Sequence, residues 1–373
     1  MTVSTSAGPV LSVRALNRAL IHRQLLAERS TMSPVRAVAH LAGLQAQAPN
    51  PPYIGLWTRL ADFAVEDLAV LVRERKVVRI ALMRSTIHLV TDDDCLALRP
   101  LLAEMLARTV KGQFGRQVAG LDTDEIAKLG TELAEERTLT FAELGALMAQ
   151  RMPGHDANAL AQTVRNLVPL VQVPPRGLWG HSGQAAHTTV ERWLGRGLDP
   201  DASLDTYVRR YLAAFGPASV KDMQKWSGLT RLKEAFTRLG PALRTYRDET
   251  GTVLHDLAGT PLPDPSEELP ARYLPEFDNI LLSHADRERI MAAEHRPRVF
   301  TSNGIIRATF LIDGFVRGLW RIDRAKDAAT LVVEPFVPLA RRDVVELTEE
   351  GERLLSFAAS GTGRHDIRFE TVG

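Results

Sequence analysis

The sequence predicts an α+β fold that is mainly helical. The first observation is a repeated order of elements: two or three short helices followed by a pair of β-rich segments, found three times before residue 296. The second is a change after residue 298 to alternating runs interrupted by Asp313-Gly314, a hairpin signal. Short helices followed by a hairpin are the order of a winged-helix unit. We therefore predict three tandem winged-helix domains, at residues 10–115, 116–200 and 201–295, and a C-terminal antiparallel β-rich element with a terminal helix at residues 296–373.

The first unit follows this plan from residue 13 onward. Four helices are predicted, at residues 13–28, 35–42, 53–60 and 65–74. Strands are predicted on either side of Arg84-Ser85, and this hairpin would be the first wing. The strands cover residues 77–83 and 86–90. Three aspartates at residues 92–94 then suit the positive end of a helix predicted through residue 107, which favours a helix start over a metal site.

The second and third units repeat the order. Thr140 and Glu143 form a capping box that opens a short helix, and the turn of the second wing is predicted at residues 174–177. The other elements of these units are helices at 156–167, 204–215, 219–227 and 232–239, and strand segments at 170–173, at 252–257 and around Tyr273. The terminal element has predicted strands at 305–312, 315–322 and 331–336 and a helix at 343–359.

Composition excludes several classes of protein. Forty-six basic and 45 acidic residues leave a net charge of +1, so nucleic-acid binding would require a local basic face. The single cysteine, Cys95, excludes a disulfide within the chain and a multi-cysteine metal site. Residues 1–9 lack the features of a signal peptide, and no apolar run approaches the length of a membrane span. We expect a soluble cytoplasmic protein.

The tripeptide Gln45-Ala46-Gln47 lies between a helix that ends near Gly43 and a proline-rich stretch at residues 49–53. Two amides two residues apart in an extended segment point the same way. An amide can hold and polarise a water molecule but cannot take its proton as a carboxylate does, so the pair suits hydrolysis of a bond whose leaving group is already activated. From spacing alone, two glutamines that face solvent or cap a carbonyl remain the simpler interpretation.

Polar and basic residues gather at the two predicted wings. Wing residues commonly contact phosphate or the minor groove, so the polar and basic residues at these two wings predict a DNA-binding face. A solvated charged face is the alternative. The set comprises Arg79, Arg84, Ser85, Thr86 and His88 at the first wing and Arg176 and His181 at the second. His187 lies near the second wing as well, but an isolated histidine on a surface is common.

The densest concentration of functional side chains begins at Glu276 and ends at Arg287. Asp278, His284 and Asp286 could hold a metal, or Ser283 and His284 could act as a nucleophile and base. Neither spacing is diagnostic. We favour a hydrogen-bonded loop that orders the interface between the third unit and the terminal sheet.

Four segments, in order along the chain, resemble the bacterial winged-helix DNA glycosylases of the AlkZ type. They are residues 43–49, 84–91, 215–219 and 274–287, and together they span most of the sequence. The resemblance implies tandem winged-helix units with a β-rich C-terminal element, and an enzyme that excises N-alkylated purines and in some members unhooks interstrand crosslinks. It implies catalytic roles for Gln45 and Gln47, with the small Ala46 as a departure from a bulkier middle residue. Glutamine at the third position resembles the branch associated with resistance to azinomycin-like crosslinkers.

The resemblance also sets expectations for the reaction. We expect a monofunctional hydrolase that needs no cofactor and no metal, acts as a monomer and takes duplex DNA with alkylated purines or crosslinks as its partner. A flipped base would need an aromatic neighbour, for which Tyr53 and Trp57 are candidates, although core packing explains both equally well. Further candidates for a cleft are Asp278, Asn279, His284 and Arg287. A winged-helix transcription regulator without catalysis is the alternative, since fold alone does not specify function.

Overall fold

The computed structural model describes residues 8–372 and has a mixed helix and sheet architecture. The expectation that the chain begins without a signal peptide rests mainly on residues 1–7, which lie outside the described residues. Residue 373, the last of the predicted C-terminal domain, also lies outside them. Among the described residues, no helix combines the length and apolar character needed to cross a membrane.

The helices number fifteen in the described range, besides short 3-10 turns. They are α1 Val13–Arg23, α2 Pro34–His40, α3 Pro51–Trp57, α4 Val65–Arg73, α5 Asp92–Leu101, α6 Ala103–Gln113, α7 Thr123–Glu136, α8 Phe141–Arg151, α9 Ala157–Leu167, α10 Val190–Leu194, α11 Leu204–Phe215, α12 Val220–Ser227, α13 Lys233–Leu239, α14 Arg296–Val299 and α15 Arg341–Ala358. The strands are β1 Val10–Leu11, β2 Leu44–Gln45, β3 Val77–Ala81, β4 Ile87–Thr91, β5 Leu139–Thr140, β6 Leu170–Val173, β7 Ala186–Thr189, β8 Leu243–Asp248, β9 Val253–Leu257, β10 Arg272–Leu274, β11 Thr309–Ile312, β12 Phe315–Arg324, β13 Ala328–Pro335 and β14 Arg364–Phe369.

One predicted helix cap is formed and another is not: Ser33, at the start of α2, makes no side-chain capping bond. The capping box of α8 is present, because Thr140 Oγ1 accepts from Glu143 N and the Glu143 carboxylate accepts from Thr140 N. Two predicted helices are shorter than expected. The first ends at Arg23, since Leu25 has left the helical region with φ 56°. The helix predicted at residues 92–107 is broken between α5 and α6, just after Pro100, which has no N–H to donate to the preceding turn.

The first two wings belong to a single six-stranded sheet. Its strand order is β2-β4-β3-β6-β7-β5, and β3 and β6 are the antiparallel neighbours that join the two units. Arg79 lies opposite Gln172 across this junction. The consequence is that a residue on the first wing can be held by a residue on the second.

The strands of the third unit pair differently from the prediction. The strand at 253–257 pairs with β8, a strand that the sequence analysis did not identify, and β1 adds to β8 in parallel. Tyr273 instead lies in β10, which joins the terminal sheet through β11. The alternation in β8 is weak, since most of its side chains are only half-buried or exposed, and this explains why the pattern was missed.

The terminal sheet has the order β10-β11-β12-β13-β14. The predicted turn at Asp313-Gly314 is confirmed, with φ 49° and 79° at its two residues. Two expectations about this element were wrong. The pairing of β13 with β14 is parallel, and the last described element is a strand rather than a helix. Both follow from α15, which connects β13 to β14 as the long crossover that parallel neighbours require.

The predicted units pack around shared cores. One hydrophobic cluster contains Val78, Val171, Tyr211 and Leu311, one residue from each of the four predicted domains. Cys95 lies in the same cluster and is fully buried, in agreement with a packing role. A continuous core holds the wings in fixed positions, so a site at their meeting point is preorganised. The number of winged-helix units and their boundaries stay predictions.

Candidate active site

The glutamine motif lies at the edge of the six-stranded sheet. Gln45 in β2 is opposite His88 in β4, and Ala46 N donates to Ile87 O at 2.7 Å. Side chains alternate along an extended segment, so Gln45 and Gln47 share a face and Ala46 points to the other. Ala46 is fully buried, Gln45 is 7% exposed and Gln47 is exposed. The small middle residue is therefore a packing feature of the opposite face.

Both amide oxygens already accept a hydrogen bond. Gln45 Oε1 accepts from Arg84 Nη2 at 2.6 Å, and Gln47 Oε1 accepts from the backbone N of Ile87 at 2.9 Å. These bonds fix which end of each amide is the oxygen. Because a carbonyl oxygen has two lone pairs, each oxygen can still accept one further bond, from a water molecule for example.

Arg79 holds the backbone of the motif from behind. Its Nη2 donates to Ala46 O at 2.6 Å, its Nη1 to Ala48 O at 3.4 Å and its Nε to Gln172 Oε1 at 3.0 Å. The side chain is only 3% exposed, and burial together with nearby Arg176 lowers its pKa to about 10. The prediction that Arg79 lies on the DNA-binding face is therefore wrong, because its guanidinium is buried against the motif.

Asn279 fixes the residues just before the motif. Its Nδ2 donates to Leu41 O at 3.2 Å and to Gly43 O at 2.8 Å. Asn279 is 5% exposed and lines the same small cavity as Gln45, so its place in a cleft stays a prediction. Gly43 has φ 87°, a value that disfavours other residues, and the chain turns there from α2 into β2.

The first wing turns at Arg84 and Ser85, as predicted. Both residues have positive φ, 55° and 59°, and Thr86 N donates to Met83 O at 3.1 Å. The turn is held from two other units. Arg84 Nη1 donates to Trp226 O of the third unit, and Ser85 Oγ donates to Asn166 Oδ1 of the second unit at 2.6 Å.

The remaining wing residues divide into buried and exposed ones. His88 is 2% exposed and its Nδ1 lies 3.0 Å from Thr86 O; burial and Arg84 lower its pKa to about 3, so it is neutral and does not reach the surface. Its predicted contact with DNA is therefore wrong. Thr86 is half-buried, with Oγ1 donating to Met83 O. Arg176 Nη1 donates to two carbonyls of its own loop, and His181 is exposed near the end of that loop.

The two aromatic candidates are core residues. Tyr53 is fully buried, its hydroxyl donates to Gly177 O at 3.0 Å, and burial raises its pKa to about 12. Trp57 is 7% exposed and stacks on Phe357 with 5.8 Å between ring centroids. Core packing, the other interpretation of these residues, is confirmed.

The segment from Asp278 to Arg287 is the hydrogen-bonded loop that we favoured. Asp278 forms a bidentate pair with Arg59 at 2.8 Å for both bonds, and both side chains are buried. His284 lies 2.8 Å from Ser283 Oγ and 3.1 Å from Phe215 O, and Arg287 Nε donates to Leu281 O at 2.6 Å. All three side chains are held by partners within the protein, and Asp278 also lines the small cavity beside Gln45, so their place in a cleft stays a prediction.

The metal alternative does not gain support from this segment. Among residues 8–372, no three histidine, cysteine or acidic side chains gather in a way that could hold a metal ion. Burial and Arg289 lower the pKa of His284 to about 3, and both of its ring nitrogens have partners within the protein.

Glu276 opens the dense cluster of the sequence analysis, which gave it no role of its own. It lines a cavity of about 10 Å³ together with Gln45, Asp278 and Asn279. A cavity of this size holds about one water molecule. Partial burial raises the pKa of the Glu276 carboxyl, although the residue is exposed on its outer side. Its place in the dense cluster and in the segment 274–287 that resembles the glycosylase family was its signal in the sequence.

Comparisons with known proteins agree with the geometry. The model of a family described as DNA glycosylase AlkZ-like matches residues 38–357. The chain is thus a DNA glycosylase, a hydrolase of N-glycosyl bonds. Within that class, it belongs to the AlkZ-like family, as the resemblance in the sequence implies, and not to the transcription regulators.

A sequence comparison and a structure comparison each match a glycosylase of Streptomyces sahachiroi over nearly the whole chain. One, described as an interstrand DNA cross-link repair glycosylase, is 27% identical over 93% of this chain and 96% of its own length. The solved structure of the DNA glycosylase AlkZ aligns with a TM-score of 0.79 and 23% identity, over 97% of this chain and all of that one. The structural likeness establishes the fold over the aligned 97% of the chain.

Proposed function

We propose that this glycosylase releases N-alkylated purines from duplex DNA by simple hydrolysis, and that Gln45 and Gln47 place the attacking water. The observation that carries the proposal is the pair of amides on one face of the segment that begins with β2 and runs to Gln47, with both oxygens fixed by donors. The cavity beside Gln45 has room for about one water molecule, which fits this role.

The chemistry suits neutral side chains. Alkylation of a purine at N7 leaves a cationic base, so its departure needs little proton transfer and the sugar develops the charge of an oxocarbenium ion. The enzyme then contributes position and electrostatics more than basicity. The free lone pair on each glutamine oxygen can accept a hydrogen bond from the water, which directs the water's own lone pair toward the sugar carbon.

The small size of the cavity at the motif favours an open mode of binding. The space lined by Gln45 is about 10 Å³, far less than an extruded base would occupy. A lesion approached at the sheet edge without entering a tight pocket can be bulky or crosslinked. Together with the description of the 27% identical relative, this supports bulky adducts and interstrand crosslinks as substrates.

The proposed DNA contacts are those wing residues that reach the surface. Ser85 and Thr86 are half-buried at the first turn, and His181 is exposed at the second wing, whose loop Arg176 closes. Phosphate contacts of this kind position the duplex without reading sequence. We also infer that the enzyme acts as a monomer, which light scattering of the free protein and of its DNA complex would test.

The decisive experiment measures base release from duplex DNA that carries N7-methylguanine, with chelator present. We expect the wild type to release the base and Gln45→Ala/Gln47→Ala to lose at least about 100-fold in rate, the scale seen when positioned transition-state contacts are removed. Gln113→Ala is the matched control, because Gln113 is an exposed glutamine at the end of α6.

A duplex with a defined interstrand crosslink extends the test. Unhooking by the wild type and not by the double variant would support the bulky substrate class. If both proteins bind the two duplexes and the double variant releases bases as fast as the wild type, the glutamines do not carry the reaction and the proposal fails.

A further inference from the structure

We propose that Arg84 is a positioning residue that fixes the amide of Gln45, and that the strained turn of the first wing is retained because it places this guanidinium. The inference rests on the proposed function of Gln45. It replaces the expectation that Arg84 serves mainly as a contact to DNA phosphate.

The turn at Arg84 and Ser85 lacks the residue types that its backbone conformation favours. A two-residue hairpin turn with positive φ at both positions favours Asn-Gly or Asp-Gly, because side chains with a Cβ are strained there. The hairpin at Asp313-Gly314 follows that rule, with φ 49° and 79°. The hairpin at Arg84-Ser85 adopts the same region, with φ 55° and 59°, and has neither Asn nor Gly. Backbone strain that a protein retains is concentrated at functional sites.

The position of the turn gives Arg84 two partners at once. Its Nη2 donates to Gln45 Oε1 at 2.6 Å and its Nη1 donates to Trp226 O, so one planar fork joins the catalytic amide to the end of α12. Among residues 8–372, no carboxylate accepts a hydrogen bond from Arg84 or is among the groups that shift its pKa. Burial lowers the pKa of Arg84 to about 10, which leaves it charged at neutral pH. Its charge is thus directed at the oxygen of Gln45.

Neighbouring units hold the turn in place. Asn166 Oδ1 accepts from Ser85 Oγ at 2.6 Å, and Arg165 Nη2 donates to Ser85 O at 2.9 Å. On the third unit Gly228 has φ 81°, and a Cβ added there would lie 3.3 Å from Arg84 N. The orientation of Gln45 therefore depends on the packing of all three units against one turn.

Three variants of Arg84 separate positioning from DNA binding. Arg84→Met keeps the length of the side chain without its donors, Arg84→Lys keeps the charge, and Arg84→Asn is short but accepts positive φ easily. The probe is a duplex with one N7-methylguanine. The measurements are the single-turnover rate at saturating enzyme, the Kd for the duplex and the melting temperature.

We expect Arg84→Met and Arg84→Asn to slow the single-turnover rate by about tenfold or more, with less than about a twofold change in Kd. Arg84→Lys should recover part of the rate. The melting temperature of Arg84→Asn should equal or exceed that of the wild type. In a Gln45→Ala background, Arg84→Met should have no further effect, because the residue acts through that amide. Asp62→Gly is the control for relief of strain alone, since Asp62 is exposed with φ 55°.

Three results would overturn the inference. The first is a wild-type rate for Arg84→Met, and the second is a loss of rate that a weaker Kd fully explains. The third is a loss of rate that adds to the effect of Gln45→Ala. Failure of the proposed function looks different, because then Gln45→Ala itself retains the wild-type rate. The two hypotheses are therefore tested separately by the same set of proteins.

Discussion

At the scale of single residues, the site contains the neutral amides of Gln45 and Gln47 and the carboxyl group of Glu276, whose pKa is raised. Glu276 lines the same small cavity as Gln45, and partial burial raises its pKa. A carboxylate at this position would stabilise positive charge that develops on the sugar.

We predict opposite effects of Glu276→Gln on stability and on activity. A carboxyl whose pKa is raised in the folded state favours folding below its unfolded pKa of about 4.5, and this contribution is lost as pH rises through the folded value. The variant should therefore unfold at a higher denaturant concentration than the wild type at pH 7 to 8, and the difference should vanish below about pH 4.

The rate of base release by Glu276→Gln should fall about tenfold at pH 7. Glu294→Gln, at an exposed glutamate, serves as the control for a change of net charge. If the difference in stability between Glu276→Gln and the wild type is the same at pH 8 as at pH 4, the carboxyl is well solvated in the folded protein.

At the scale of secondary-structure elements, the motif strand is held by a residue that sequence reasoning assigned to DNA. A cation near a wing is ambiguous in sequence, because the same arginine can face a phosphate or a backbone carbonyl. The pairing of β3 with β6 determines which partners Arg79 has. It places the guanidinium between Ala46 O and Gln172 Oε1. Sequence patterns located both strands but could not reveal that the two wings join.

We predict that Arg79→Met impairs the motif without changing how DNA is held. It removes the donors to the buried carbonyl of Ala46 and the half-buried carbonyl of Ala48, which should lower the free energy of unfolding by about 1–3 kcal/mol and lower the rate of base release. The slope of log K against log salt for duplex binding should stay at the wild-type value, whereas loss of a phosphate contact would reduce it by about one.

Lys76→Ala provides the comparison, because Lys76 is an exposed cation beside β3. If Arg79→Met reduces the salt slope and leaves stability intact, the guanidinium contacts phosphate in the complex and the buried arrangement is not the one that binds DNA.

At the scale of the whole molecule, local patterns predicted most elements and few of the contacts between them. The helix α11, the strand β6 and the turn at Asp313-Gly314 agree with the sequence analysis because each depends on neighbours along the chain. The parallel strand β14 and the burial of His88 depend on partners far away in sequence. The glutamine motif was found by chemistry and resemblance, while its support by Arg79, Arg84 and Asn279 required the folded structure.

Long-range ion pairs complete the joining of the units. Arg23 pairs with Asp256 at 2.6 Å, and Arg29 with Glu350 at 2.6 Å, so the first unit is tied to the third unit and to the terminal element. The pair of Arg59 with Asp278 is the most buried of these, at 0% and 1% side-chain exposure. Asp278 directly precedes Asn279, whose side chain donates to Gly43 O just before the glutamine motif.

The last prediction concerns this buried pair. Asp278→Asn leaves Arg59 without its carboxylate in the core, and breaking such a pair costs about 3–5 kcal/mol. We expect a lower denaturation midpoint and low activity that follows the folded fraction, with no effect of chelator on either protein. Arg59→Met/Asp278→Leu should recover much of the stability, since an apolar pair removes both charges together. Asp286→Asn, at an exposed aspartate of the same segment, should behave as the wild type. An Asp278→Asn protein with wild-type stability and no activity would instead place Asp278 in the chemistry, and would reopen the acidic alternative for this segment.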